Sequence, residues 1–187
     1  MKKVVILASM VVVGGGVYFQ LSKESSNVAV NKSTNPAAML SSAGTFRSVD
    51  ACSVLTMQDA ISQLGDGAKK GDSTAGNAGS DDLAVSNCIY YTTSTSTSGY
   101  RSVSLLARAA KTKDGSTSNI SQFKDLKPPA VKDVSGIGDA AFWNPDTGQL
   151  NVLVGDNWYI ISNGSSRANE RKQLDAVAIA TRILPKL

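Results

Sequence analysis

Histidine is missing from all 187 residues. Its absence excludes a Ser-His-Asp triad and any metal centre built on imidazole. Cysteine is almost missing: Cys52 and Cys88 are the only two, and they form no C-x-x-C. A thiol redox motif is therefore excluded as well. Acidic residues are fewer than basic ones, 15 against 19, yet the basic residues are scattered rather than striped. That is not the footprint of a nucleic-acid binder. These absences lead us to expect no catalytic residue, no metal, no cofactor and no nucleic-acid partner.

The chain does contain one long uncharged run. Lys2 and Lys3 precede residues 4–21, VVILASMVVVGGGVYFQL, 18 positions without a charge. Positive residues followed by an apolar stretch spell an export signal or a membrane anchor. Eighteen residues reach the lower end of what crosses a hydrocarbon core. Gly14, Gly15 and Gly16 are acceptable in a membrane helix, and Tyr18 and Phe19 suit the far interface. A cleaved leader would use the core 4–13, with Val12 and Gly14 tolerable at the cleavage site, but no Ala-x-Ala follows. No cysteine stands near the end of the run to accept a lipid. We expect an uncleaved anchor through residues 4–21, with a cleaved signal peptide as the alternative. Lys2 and Lys3 keep the N-terminus cytoplasmic, so the remainder is expected outside in either case.

Residues 22–49 are rich in Ser, Asn, Ala and Thr and lack apolar periodicity. They read as a flexible polar linker. The remaining stretch, 50–187, is long enough for one domain that buries about two thirds of its unfolded surface. The net charge of +4 becomes +2 once Lys2 and Lys3 are assigned to the leader. An even pair of cysteines in an exported domain reads as a disulfide, so Cys52 and Cys88 are expected to be bonded.

Within the domain, residues 56–65 carry the clearest helix pattern. Thr56 can cap, Asp59 stands at the capping-box position, Met57, Ala60, Ile61 and Leu64 share a face, and Gly65 closes the helix. Residues 66–82 read as a long mobile loop of Gly, Ser, Asp and Ala. Strands are expected at 87–93 and 100–108, joined by the turn STSTSG, and a short helix at 117–126 carrying Ile120, Phe123 and Leu126. AAFWN, QLNVLV and WYIIS are three further strands, the last two joined at Gly155-Asp156-Asn157. A closing helix over 168–184 would bury Leu174, Val177, Ala178, Thr181 and Leu184. The order predicts an α+β fold: an antiparallel sheet of about five strands with helices packed on one face, behind an N-terminal signal or anchor helix.

Gly136-Ile137-Gly138-Asp139-Ala140-Ala141 spells G-x-G-x-x-A, but a nucleotide fingerprint needs a helix after it. Phe142, Trp143, Asn144 and Pro145 continue instead as strand and turn, so we read the glycines as a bend. Asp139, Asp146, Asp156 and Asp175 fall mostly in turns and read as solvated carboxylates, although a hidden pair would suffice for a hydrolase. Tyr90, Tyr91, Tyr100, Trp143, Trp158 and Tyr159 remain. Trp158 and Tyr159 are consecutive in a strand, so one should face the helices and the other solvent or a partner. Trp143, Trp158 and Tyr159 are accordingly the candidate interface residues.

The segment Asp50-Ala51-Cys52-Ser53-Val54-Leu55-Thr56, with Leu64-Gly65 and Cys88-Ile89-Tyr90 beyond it, resembles a group of uncharacterised exported bacterial domains, many of them lipoproteins. Those open with a Cys-x-x-Leu-Thr helix whose cysteine pairs with one on the first strand. Residues 134–141 and the hairpin 149–162 are similar to the second half of the same group. The resemblance covers about residues 50–184 and implies fold and compartment without catalytic residues. The reading that follows is a non-enzymatic, membrane-anchored bacterial envelope protein acting as an accessory or binding domain beside an envelope protein partner, facing the periplasm or the outside of the cell. The alternatives are a secreted ligand- or protein-binding module, such as an inhibitor, and a carboxylate-dependent hydrolase.

Overall fold

The structure, a computed structural model, describes residues 46–93 and 100–187. The expected anchor at 4–21, most of the linker and the STSTSG turn lie outside the described residues. Among those described, no helix is long and apolar enough to cross a membrane.

The chain enters through an extended segment, residues 46–50, and turns into α1 (Ala51–Val54). Asp50 caps α1, its Oδ1 accepting from the Cys52 N–H at 2.9 Å. Helix α2 (Met57–Leu64) follows with both halves of the expected capping box. Thr56 Oγ1 accepts from the Asp59 N–H, and Asp59 Oδ2 accepts from the Thr56 N–H at 2.8 Å. Gly65 ends the helix at φ +84°, a region open to glycine. Val49 packs on the core and its carbonyl accepts from Ser86 Oγ at 2.6 Å, so the folded part begins slightly before residue 50.

Seven strands follow: β1 (Lys69–Lys70), β2 (Thr74–Gly79), β3 (Leu83–Thr92), β4 (Arg101–Ala110), β5 (Ala140–Asn144), β6 (Gln149–Val154) and β7 (Asn157–Ser165). All pairs are antiparallel, in the order β1-β3-β4-β7-β6-β5, with β2 also on the outer edge of β3. The α+β expectation holds. The two additional strands, β1 and β2, occupy the stretch expected to be a loop. Beyond Thr74, TAGNAG has no branched or aromatic residue to signal a strand; pairing with β3 supplies what propensity does not.

Strand alternation builds two cores rather than one. Cys88 and Tyr90 of β3, Val103 and Leu105 of β4, and Tyr159 and Ile161 of β7 face α1, α2 and α4 (Gln173–Ile183). The opposite face carries Phe142, Leu153 and Trp158, covered by Phe123 of α3 (Lys113–Asp125). Three helices thus share one face as expected, and α3 packs on the other. Helix α3 also starts earlier than its apolar residues indicated. Thr112 caps it, and Gly115 is required because a Cβ there would run into the Asp82 carbonyl. Leu126, expected on the buried face, is exposed.

The closing helix buries a different stripe from the expected one. Ala176, Ile179, Ala180 and Ile183 face the sheet, while Leu174 is 78% exposed. Both sets satisfy the helical spacing, and the small alanines allow the closer approach to the strands.

The Gly136-Ile137-Gly138 stretch is a bend into β5, as expected, with φ +77° and +60° at the two glycines and Ile137 buried between them. A Cβ on Gly138 would strike the Leu153 carbonyl and come within 2.6 Å of Val152 Cγ1, whereas one on Gly136 would meet nothing. Gly138→Val is therefore expected to cost about 2–3 kcal/mol, and Gly136→Ala about 1 kcal/mol from backbone strain alone. Urea denaturation of the two variants checks this; equal losses would show that the close approach at Gly138 is not real.

The C-terminus is fastened to the first helices by an ion pair that spacing does not announce. Lys186 Nζ lies 2.6 Å from Asp59 Oδ2 and 3.1 Å from the Val54 carbonyl. Burial pushes the Asp59 carboxyl up, but hydrogen bonds from Lys186 and Thr56 outweigh it and hold it below its usual value. A folded value below the unfolded one means that this stabilisation is complete above the unfolded pKa, near 4, and is lost as pH falls through the folded value. The stability gap between the parent and Asp59→Asn should be about 1–3 kcal/mol at pH 7 and should close toward pH 2. A gap independent of pH would refute the assignment.

Candidate functional site

The Cys52 and Cys88 sulfurs are bonded, with Cα atoms 5.0 Å apart, joining α1 to β3. Trp158 and Tyr159 do not divide between helices and solvent. Both are buried, at 2% and 1% exposure, because both faces of β7 are covered. This corrects the expectation that one of them forms an interface. Trp158 lies beneath α3 and donates its Nε1–H to Asn151 Oδ1 at 3.2 Å. Tyr159 lies in the larger core, its hydroxyl accepting from Asn157 Nδ2 at 3.3 Å, and burial pushes its phenol pKa up. Trp143 is half-buried against the same core.

A cleft of about 420 Å³ opens beside the entry segment, bordered by Phe46, Asp50, Asp156, Asn157, Tyr159 and Lys186. Its polar groups hold the fold. Asn157 Oδ1 accepts from the Ala110 N–H, Asp156 Oδ1 from Ser116 Oγ at 2.6 Å, and Lys186 is paired with Asp59. Of the four spaced carboxylates, Asp139 also serves a turn, its Oδ2 accepting from the Gly155 N–H at 2.6 Å. Asp146 lies in the β5–β6 turn and Asp175 in the first turn of α4. Among the described residues no cluster of three or more His, Cys, Asp or Glu could hold a metal ion.

The more informative surface is the second face of the sheet. Helix α3 packs over β4, β7 and β6. Along β3, residues alternate between buried and half-buried: Ala84, Ser86, Cys88 and Tyr90 are inside, and Val85, Asn87, Ile89 and Tyr91 are half-open. Ser104, Leu106 and Arg108 on β4 and Ile160 on β7 continue the half-open surface.

Arg108 stands at its edge, with its guanidinium carbon 5.1 Å from the centre of the Trp158 ring and its Nε–H donating to Asn119 Oδ1 at 3.2 Å. Asn119 is fully buried and held by the Arg108 and Asp156 carbonyls, each 2.9 Å from its Nδ2. Burial lowers the pKa of the guanidinium, which nonetheless stays protonated. The three ion pairs among the described residues, Lys127–Asp133, Arg167–Glu170 and Lys186–Asp59, leave Arg108 without a carboxylate. Sequence reasoning missed it because a single arginine in an apolar strand carries no motif. Comparison of the chain with protein-family models, with curated proteins and with solved structures finds no match in any of the three.

Proposed function

We propose that this chain is a bacterial envelope protein held at the outer face of the inner membrane by residues 4–21, its α+β domain acting as a non-enzymatic binding or accessory domain. The bonded Cys52–Cys88 pair carries the reading, since such a bond persists in oxidising compartments and stands here behind a lysine-led uncharged run. The half-open sheet face, which offers apolar side chains and one guanidinium without an ion pair among the described residues, supports binding over catalysis.

Fractionation tests the anchor. The full chain should remain with membranes after a carbonate wash, and a chain starting at Ser42, where the compact unit Ser42–Leu187 begins, should be soluble and folded. Native protein whose N-terminus starts after Gly14, recovered free of membranes, would replace the anchor by secretion and favour the secreted binding module.

A further inference from the structure

Every charge on the seven strands is positive: Lys69, Lys70, Arg101 and Arg108, with no Asp or Glu among them. On the half-open face, Lys69 stands opposite Tyr91 at one end and Arg108 opposite Val85 toward the other. Between them lie Ile89, Leu106 and Ile160, with Asn87 and Ser104 interleaved. A largely apolar strip bounded by cations that have no ion pair among the described residues is complementary to a segment that is apolar and acidic. We propose that this face docks such a segment of a partner protein, one carboxylate forming a two-bond pair with Arg108 and apolar side chains resting on Val85, Leu106 and Ile160. The proposal deepens the binding-domain reading above and rests on it.

Three features favour this occupant. Among the described residues Arg108 uses only its Nε–H, and the two terminal nitrogens of its fork match a carboxylate. Trp158 and Asn119 already hold the guanidinium in place, so little side-chain freedom is lost on binding. Arginine seated on an aromatic ring beside apolar side chains is also the composition of an interface hot spot. A second copy of the chain fits worse, because face-to-face pairing would set Arg108 and Lys69 against the same cations with no carboxylate between them. A nucleic acid would need a denser line of positive charge than two cations provide.

The test places p-benzoylphenylalanine at position 85 of the full-length chain, irradiates cells that carry it in their envelope, and maps the adduct by mass spectrometry. The expected adduct is with another protein, at a segment bearing an Asp or Glu within a few residues of the attachment point. Arg108→Gln should lower its yield about tenfold, the scale of losing one charged partner. Arg108→Lys should recover part of the yield, and Leu106→Asp, which sets a carboxylate in the strip itself, should abolish it. Each variant is accepted only if it melts cooperatively, so that loss of yield is not loss of fold. Adducts with residues of this chain, with a second copy or with lipid would overturn the proposal, as would no adduct or a yield indifferent to all three substitutions. The same photoprobe at position 174, on the exposed side of α4, separates the two levels of inference. A partner captured there but not at position 85 overturns this surface and spares the binding-domain reading, while no adduct at either position overturns both.

Discussion

Replacing both Cys52 and Cys88 by alanine is expected to lower the unfolding free energy by about 2–5 kcal/mol, the range for native disulfides in small exported domains. The bond joins positions 36 apart in sequence. A loop of that length corresponds to roughly 3–4 kcal/mol of unfolded-state entropy in the chain-entropy model. Against a total of about 5–15 kcal/mol the loss is large, and it should lower Tm by on the order of 10 °C. Alanine is the informative replacement because Cys88 is fully buried and a serine hydroxyl there would need a partner. The parent in reducing agent should melt with the double variant. Two alkylatable thiols in unreduced protein, or identical melting with and without reductant, would show that the bond is not formed.

The weakening should begin at α1. Apart from the disulfide, the segment leading into α1 is held to the sheet by Ser86, whose hydroxyl donates to the Val49 carbonyl and accepts from the Ala51 N–H at 3.0 Å. Hydrogen exchange at Ala51 and Leu55 should therefore rise in the double variant before exchange in β4 changes.

Local chemistry made much of this architecture legible. AAFWN and QLNVLV mark β5 and β6 residue for residue, and Thr56, Asp59 and Gly65 bracket α2, because each of those signals acts over a few positions. Features that depend on distant partners were not legible. TAGNAG becomes a strand only because β3 offers an edge, and Lys186 reaches Asp59 across 127 positions. Helix α4 presents two stripes of equal periodicity, so only contact with the sheet decides between Leu174 and Ile179. The exposure expected of Trp158 or Tyr159 failed for a related reason. Alternation told correctly that Trp158 and Tyr159 face opposite ways, but not that Phe123 would cover the second face. Neighbouring Arg108, without an ion pair among the described residues, was hidden by the same omission.

Trp158→Ala is expected to cost about 3–5 kcal/mol, the range for removing a large buried aromatic. The indole fills the smaller core with Phe123, Phe142 and Leu153, where Phe123 and Phe142 stand edge to face at 4.9 Å. That core is small enough that removing its largest member should loosen α3 rather than unfold the whole sheet. Two polar groups lose their setting too: Asn151, only 4% exposed, loses the indole N–H, and Arg108 loses the ring it rests on. Trp158→Phe separates these contributions. It keeps most of the apolar volume and a ring for the guanidinium, but leaves Asn151 Oδ1 without its donor, and should cost about 1–3 kcal/mol. Tyr159→Phe is the comparison in the larger core. It removes only a 3.3 Å hydrogen bond from Asn157, so a loss of about 1 kcal/mol or less is expected. Chemical denaturation ranks the three variants, and amide exchange across residues 113–125 reports whether α3 detaches first. If Trp158→Ala cost no more than Tyr159→Phe, or if α3 kept its protection in the alanine variant, the indole would not be what holds that helix to the sheet. Arg108 would then need another explanation for its position beside it.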